Sequence, residues 1–154
     1  MPCDDGGRRT ILRTVKPSPF RLAASESAVE PDASAPATVD YRLARAATLR
    51  AWRSGKLGRH EVCDAQRELF RNAEFCGQPT RRKCPVCARE GLVEVTYVFG
   101  SRLPKHGRCL TTRAEMQRLQ HRASPSTGYV VEVCTGCGWN HLVRRLTLGG
   151  KRSA

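Results

Sequence analysis

Aromatic residues are scarce in this sequence of 154 residues, since phenylalanine, tryptophan and tyrosine together make up only 6%. So few large side chains argue against a large close-packed core. A small domain that buries little surface commonly needs a disulfide or a metal ion to stay folded. The eight cysteines of the chain are therefore the first residues to examine.

Long apolar runs are also absent. No stretch approaches the ~20 consecutive apolar residues that span a bilayer. Near the N-terminus only Ile11 and Leu12 stand where a secretory signal would carry a longer apolar region. We therefore expect a cytoplasmic protein without a membrane partner. In a reducing compartment, paired cysteines favour metal ligation over disulfides.

The common catalytic motifs are missing as well. The chain has no phosphate-binding G-x-x-x-x-G-K-[ST], no H-E-x-x-H and no G-x-S-x-G. We therefore expect no enzyme and no small-molecule substrate.

Positive charge, by contrast, is abundant: 27 lysines and arginines oppose 14 acidic residues, for a net charge of +13. Residues 1–38 sum to zero, so residues 39–154 carry the whole excess. Arginine, which suits bidentate contacts with phosphate and carboxylate, supplies 22 of the 27 cations. This charge favours nucleic acid or an acidic protein as partner. The alternative is arginine-rich codon usage with a solvated basic surface.

The chain divides into four predicted segments. Residues 1–37 are rich in proline and serine and predict a disordered tail that includes Cys3. Residues 38–80 predict a basic helical hairpin, with helices at 39–54 and 60–75 joined by a glycine-containing turn. Residues 81–149 predict a zinc-ribbon module, and residues 150–154 form a basic C-terminal end.

The first predicted helix separates into two faces at 100° per residue. Leu43, Ala47 and Trp52 fall on the face expected to pack. Arginines cover the other face, and we predict that three of them contact nucleic acid or a partner: Arg42, Arg45 and Arg53. A solvated charged face is the alternative for this helix.

The second half of the chain reads as a small antiparallel sheet with one inserted helix. Strands are predicted at 92–99, 129–133 and 139–148, where β-branched and aromatic residues are enriched. A short helix is predicted at 112–123, because Thr112 and Glu115 have capping-box spacing. The predicted fold class is thus α+β: an N-terminal helical hairpin followed by an elaborated antiparallel zinc ribbon.

Two cysteine pairs carry the chemistry: Cys84 with Cys87 and Cys134 with Cys137. Two residues between cysteines let a tight turn aim both sulfurs at one ion, and two such turns form the tetrahedral shell that Zn²⁺ favours. We predict one structural Zn²⁺ held by all four. Rubredoxin-like iron is an alternative, since it accepts the same ligands, and four unrelated buried cysteines are another.

Other residues leave alternatives open. A second metal site is conceivable from five residues with ligand-like spacing: His60, Cys63, Cys76, His106 and Cys109. Trp139 and His141 have two interpretations. They form an exposed tip of the ribbon that stacks on a base or binds a partner, or Trp139 packs over the small hydrophobic core. Three basic residues directly before the first cysteine pair are further candidate contacts with nucleic acid or a partner: Arg81, Arg82 and Lys83.

His141 lies four residues after Cys137 and could also replace one of the four cysteines as a metal ligand.

Five motifs together resemble a family of small actinobacterial proteins known as a domain of unknown function. They are Val62-Cys63-Asp64-Ala65, Phe75-Cys76-Gly77, Cys84-Pro85-Val86-Cys87, Val131-Glu132-Val133-Cys134 and Cys137-Gly138-Trp139-Asn140-His141-Leu142. The resemblance covers residues 39–149, and it leads us to expect histidine where this chain has Cys76. It implies an actinobacterial source and a metal-bound ribbon behind a helical hairpin, and no established activity.

The functional hypothesis is a non-enzymatic accessory of gene expression that binds RNA polymerase or nucleic acid. One alternative is a protein–protein adaptor for an acidic partner. Another is a redox-sensing or metal-sensing protein.

Overall fold

The structure, a computed structural model, describes residues 37–150. The tail expected at 1–37 and the C-terminal end at 150–154 therefore lie outside the described residues, except for Ala37 and Gly150. Among the helices of the described part, none has the length and apolar character needed to cross a membrane.

Six antiparallel strands and four helices make up the described part. The strands are β1 (Thr38–Asp40), β2 (Gln78–Lys83), β3 (Gly91–Gly100), β4 (Arg108–Leu110), β5 (Ser126–Val133) and β6 (Asn140–Leu148). The helices are α1 (Arg42–Arg53), α2 (Arg59–Val62), α3 (Arg67–Cys76) and α4 (Arg113–Gln120). The sheet has the order β1-β6-β5-β3-β2, and β4 pairs with β3 beside β2.

Strand β3 is buried on both faces of the sheet. Its residues Leu92, Val95 and Val98 are all fully buried although they do not share one face. Alternate side chains of a strand point to opposite faces, so both faces of β3 are covered. Helix α3 packs on one face, where Ala73 meets Val95. Helix α4 packs on the other face, where Leu119 lies in one cluster with Val98.

The predicted fold description is wrong in its N-terminal half, because no helical hairpin forms there. Residues 38–40 form β1, which pairs with β6, and α1 begins only at Arg42. The helix predicted at 60–75 is broken into α2 and α3. Each long helix packs on the sheet, α1 against β6 and α3 against β3, instead of on the other.

A tertiary contact accounts for the break between α2 and α3. The backbone N–H of Ala65 donates to the carbonyl of Gly138 at 3.1 Å. An N–H used in this way is not available for the helical bond to a residue four positions earlier. The segment therefore leaves the helix in order to dock on the β5–β6 turn.

The sequence signals of the second half are confirmed element by element. Strands occupy 91–100, 126–133 and 140–148, and the helix predicted at 112–123 is found at Arg113–Gln120. Its capping box is present: the Glu115 N–H donates to Thr112 Oγ1 at 3.3 Å, and the Glu115 carboxylate accepts from the Thr112 N–H at 3.3 Å. Strands β1, β2 and β4 were not predicted.

Glu115 offers a test of this cap. Its carboxylate also accepts from the Thr111 N–H and hydroxyl and pairs with Arg108, and these contacts lower its pKa to about 2. A carboxyl with a lowered folded-state pKa stabilises the fold above its unfolded pKa and loses that effect as pH falls. Glu115→Gln is expected to lower the free energy of unfolding by about 1 kcal/mol at pH 7, because hydrogen bonds to a charged acceptor are stronger than those to a neutral amide.

Urea denaturation from pH 7 to pH 4 checks this expectation. The difference between the original chain and the variant should hold down to about pH 5 and shrink below it. Glu74→Gln is the matched control, since Glu74 is exposed on α3 and forms no ion pair within the described residues. An equal loss in both variants would contradict the role of Glu115.

Candidate metal centre

The sheet brings the two cysteine pairs to one end of the molecule. Cys84 and Cys87 lie in the turn between β2 and β3, and Cys134 and Cys137 lie in the turn between β5 and β6. Strands β3 and β5 are adjacent and antiparallel, with Val93 opposite Val133. The start of β3 and the end of β5 therefore meet at the same edge.

Both turns have the same backbone pattern. The N–H of Ala88 donates to the carbonyl of Cys84 at 3.0 Å, and the N–H of Gly138 donates to that of Cys134 at 2.9 Å. Both donor residues have positive φ, 56° at Ala88 and 84° at Gly138. Positive φ costs a residue with a Cβ free energy. Ala88 adopts it nonetheless, so the two turns are equivalent in backbone despite the difference in sequence.

The four sulfurs are close enough to share one ion. All of them lie within 4.8 Å of one another, with Cys84 and Cys137 at 3.5 Å and Cys87 and Cys134 at 3.7 Å. A tetrahedral ion with metal–sulfur bonds of about 2.3 Å places its ligands about 3.8 Å apart. The donor set and its spacing therefore fit a tetrahedral metal ion, and the four cysteines are positioned to hold one.

Electrostatics differ among the four thiols. The Glu90 backbone N–H is the main cause that lowers the pKa of Cys87 to about 6. Burial raises the pKa of Cys134 and of Cys137. Cys84 Sγ accepts from the Val86 N–H at 3.4 Å, as expected where a turn supports a thiolate.

A fifth thiol lies beside the cluster. Cys63, at the end of α2, has its sulfur 3.8 Å from that of Cys137. The contact follows from the docking of the α2–α3 segment on the β5–β6 turn. The sequence could flag Cys63 only by its spacing from His60, which pointed to a different site.

The conceivable second site from His60, Cys63, Cys76, His106 and Cys109 does not form within residues 37–150. Apart from the four cysteines, no group of three or more His, Cys, Asp or Glu side chains in that range gathers its ligand atoms in one place. His141 is not part of the cluster either, since its Nδ1 lies 2.7 Å from the Leu142 carbonyl.

The arginines predicted on α1 have different surroundings. Arg42 pairs with Asp40 at the surface, Arg53 is exposed, and Arg45 faces the sheet, where its Nε donates to Glu132. Leu43, predicted to pack, is 87% exposed. The predicted faces of α1 are therefore wrong at Leu43 and Arg45.

Trp139 covers the core, so the alternative of an exposed tip is wrong for this side chain. Its exposure is 0%, and its Nε1–H donates to Glu132 Oε1 at 2.9 Å. His141 stacks on its ring with centroids 6.0 Å apart and is half-buried. A buried indole has no free face on which a base could stack.

Arg81, Arg82 and Lys83 lie exposed on β2, an edge strand of the sheet. Arg82 bridges two carboxylates, with Nη2 2.7 Å from Glu94 Oε1 and Nη1 3.3 Å from Glu132 Oε2. Arg81 forms no ion pair within the described residues, and Lys83 Nζ donates to the Arg89 carbonyl at 3.1 Å.

Sequence reasoning missed Glu132, which is fully buried at the centre of the sheet. It lies opposite Glu94 on β3 and His141 on β6. Arg45 and Trp139 donate to its Oε1, and Arg82 Nη1 lies 3.3 Å from Oε2, which accepts no hydrogen bond among the described residues. The two arginines offset part of the cost of burying the charge. The one available signal was an acidic residue inside an apolar strand sequence, VVEV.

The fold and the site define a small antiparallel-sheet protein whose two hairpin turns form a four-cysteine candidate metal centre. The chain belongs to the family of unknown function DUF5318, whose sequence profile matches residues 34–154. Uncharacterized proteins from Mycobacterium bovis and from two strains of Mycobacterium tuberculosis are 43% identical to it over 116 residues. These matches cover 75% of this chain and 85% of each relative. No solved structure matches.

Proposed function

We propose that this protein is a non-enzymatic binding module, stabilised by one zinc ion, that acts in gene expression by contacting nucleic acid or a nucleic-acid complex such as RNA polymerase. Support for zinc comes from the spacing of the four sulfurs. Four thiolates close a structural site and leave no position for a catalytic water. A reducing cytoplasm keeps such thiols available for metal. Iron would give a coloured protein, so an absorption spectrum distinguishes the two metals.

Unpaired positive charge is the observation that carries the binding proposal. Residues 37–150 contain 20 lysines and arginines against nine acidic residues. Only five of these cations pair with carboxylates: Arg42, Arg45, Arg82, Arg108 and Arg144. The other 15 cations in this range leave a surface suited to the phosphates of nucleic acid.

We define the metal-end cationic surface as five of these cations, each within three residues in sequence of a member of the hydrophobic cluster that contains Cys84 and Cys134: Arg53, Lys56, Arg81, Lys83 and Arg89. All five are exposed. Two belong to the end of α1 and the turn after it, and three flank the first cysteine pair.

A shared hydrophobic cluster connects the two groups. Trp52 and Leu57, next to the first group, pack in the same cluster as Val86 and Cys87, which lie within the second. The metal supports this cluster, because Cys84 and Cys134 are among its buried members. The metal thus acts as a scaffold for the cationic surface, which explains how a closed site contributes to binding.

Charge removal tests the proposal. A triple variant with glutamine at Arg81, Lys83 and Arg89 is expected to bind a fluorescent duplex DNA more weakly than the original chain. The slope of log K against log salt should also become shallower by about 0.9 for each phosphate that the variant no longer neutralises. Fluorescence anisotropy at several salt concentrations measures both quantities, with single-stranded RNA as a second probe.

The matched control replaces Arg102, Lys105 and Arg113, which have the same composition and are also exposed and without ion pairs among the described residues. Arg102 and Lys105 follow the end of β3 that is opposite the cysteines, and Arg113 begins α4, outside both cysteine turns. An equal weakening in both triple variants would mean that only net charge matters and would reject this surface as the contact.

One observation favours the adaptor as a second candidate. Leu43 is 87% exposed and Val39 49%, and they belong to neighbouring elements, α1 and β1. Exposed apolar side chains of this size suit a protein contact. An adaptor complex should survive nuclease treatment of the lysate, whereas a complex held by nucleic acid should not.

A further inference from the structure

A cavity of about 500 Å³ opens on the face of the sheet that carries α3. Its walls come from the α2–α3 segment, the start of α3 and His106, and its floor comes from strands β3, β5 and β6. A volume of this size accommodates a small organic molecule. None of the residues of the metal-end cationic surface lines it.

Three aromatic side chains line the cavity: Tyr97 and Phe99 from β3 and Tyr129 from β5. All three are on the same face, since Tyr97 lies directly opposite Tyr129 and Phe99 is two residues further along its strand. Phe99 and Tyr129 meet edge to face with centroids 5.8 Å apart. Three of the nine aromatic residues of the chain therefore line one cavity.

The backbone at Gly107 packs closely against the Phe99 ring. Gly107 has φ +79°, and a Cβ there would lie 2.6 Å from Phe99 Cε1. Only glycine permits so close an approach in this backbone conformation. The Phe99 ring is 37% exposed, and it contacts Gly107 on one side and Tyr129 on another.

Acidic groups line the cavity as well. Asp64 and Glu68 contribute carboxylates, while neither lysine nor arginine lines it, although cations outnumber acids in residues 37–150. Asp64 is held in position by the Asn140 amide, which donates to its Oδ1 at 2.9 Å. Glu68 forms no ion pair within the described residues.

We propose that this cavity binds a small planar organic cation, such as an amidinium or guanidinium compound. The faces of aromatic rings attract cations, and nearby carboxylates add to that attraction. The same acidic walls disfavour a phosphate or a carboxylate ligand. This site is independent of the proposed nucleic-acid contact, because the two involve different residues and opposite charges.

Three probes of one shape and different charge test the site: benzamidine, benzamide and benzoate. Titration of the ¹⁵N-labelled full chain followed by NMR should show benzamidine shifting the amide signals around Phe99, Tyr129 and Glu68. Benzamidine is expected to bind at least about threefold more tightly than benzamide at low salt, and benzoate more weakly than either. Added salt should reduce the preference for the cation.

Glu68→Gln removes one charge from the wall and keeps its shape. It should weaken benzamidine binding about twofold to fivefold and leave benzamide binding unchanged. Glu74→Gln, on the same helix and away from the cavity, is the matched control and should change neither. No binding of benzamidine, equal binding of benzamide, or equal effects of the two variants would each overturn the proposal.

Discussion

Serine in place of Cys87 is expected to release the metal and unfold the chain. The four cysteines of the proposed metal site would form a closed shell, and the hydrophobic cluster at that end of the sheet contains two of them, Cys84 and Cys134. Structural zinc contributes roughly 10–16 kcal/mol of apparent binding free energy in small domains, which is comparable with the whole stability of a typical domain. Native mass spectrometry should show the loss of about one metal ion per chain, and circular dichroism the loss of structure.

Cys87 is preferred to Cys137 for this test, since the Cys63 thiol lies 3.8 Å from Cys137 and is close enough to replace it as a ligand. Cys109→Ser is the matched control. Cys109 is also half-buried but lies on β4, outside the four-cysteine cluster. The control should keep its metal and lose only about 1 kcal/mol of stability. A Cys87→Ser chain that remains folded and fully loaded would contradict the proposed metal site.

Glu132→Leu is expected to lower the free energy of unfolding by about 3–5 kcal/mol. Arg45, whose side chain is only 21% exposed, would lose its carboxylate, and the buried indole N–H of Trp139 would lose its acceptor. Urea denaturation of the metal-loaded chain measures the loss. Replacing Arg45 by methionine in the same chain should recover part of it, because an apolar pair of similar size needs no counter-charge.

Glu94→Leu is the control for Glu132, because Glu94 lies directly opposite on β3 and pairs with Arg82 and Arg144. Those arginines are about half exposed, so the control should cost only about 1 kcal/mol. If the two variants were equally destabilised, burial of Glu132 would not be the source of the effect.

The candidate metal centre was predictable because its ligands come in local pairs. Two residues between cysteines constrain each turn within a few bonds, and four such ligands suit few ions. The same is true of the α4 cap, in which Thr112 and Glu115 bond within one turn of helix. The fifth thiol, Cys63, was not predictable, because it reaches Cys137 only through the docking of the α2–α3 segment.

The faces of α1 were not predictable from periodicity. A helical wheel places the arginines of α1 on the face opposite its apolar residues. Arg45 nevertheless faces the sheet and donates to Glu132, which lies 87 residues further along the chain. Leu49 and Trp52 complete the packed face, and Leu43 remains exposed. An ion pair between distant residues leaves no trace in the local pattern of either partner.

The sequence by itself determined the four cysteines of the candidate metal centre, the main strands of the second half, the capped helix and the excess of positive charge. Only the tertiary structure decided that the second helix breaks, that Trp139 is buried beside Glu132, and that three aromatic rings and two carboxylates line one cavity. The reason is the distance in sequence between the residues that interact. Turns, caps and strand alternation depend on neighbours within a few residues, whereas sheet order and buried ion pairs join residues that lie far apart in the chain.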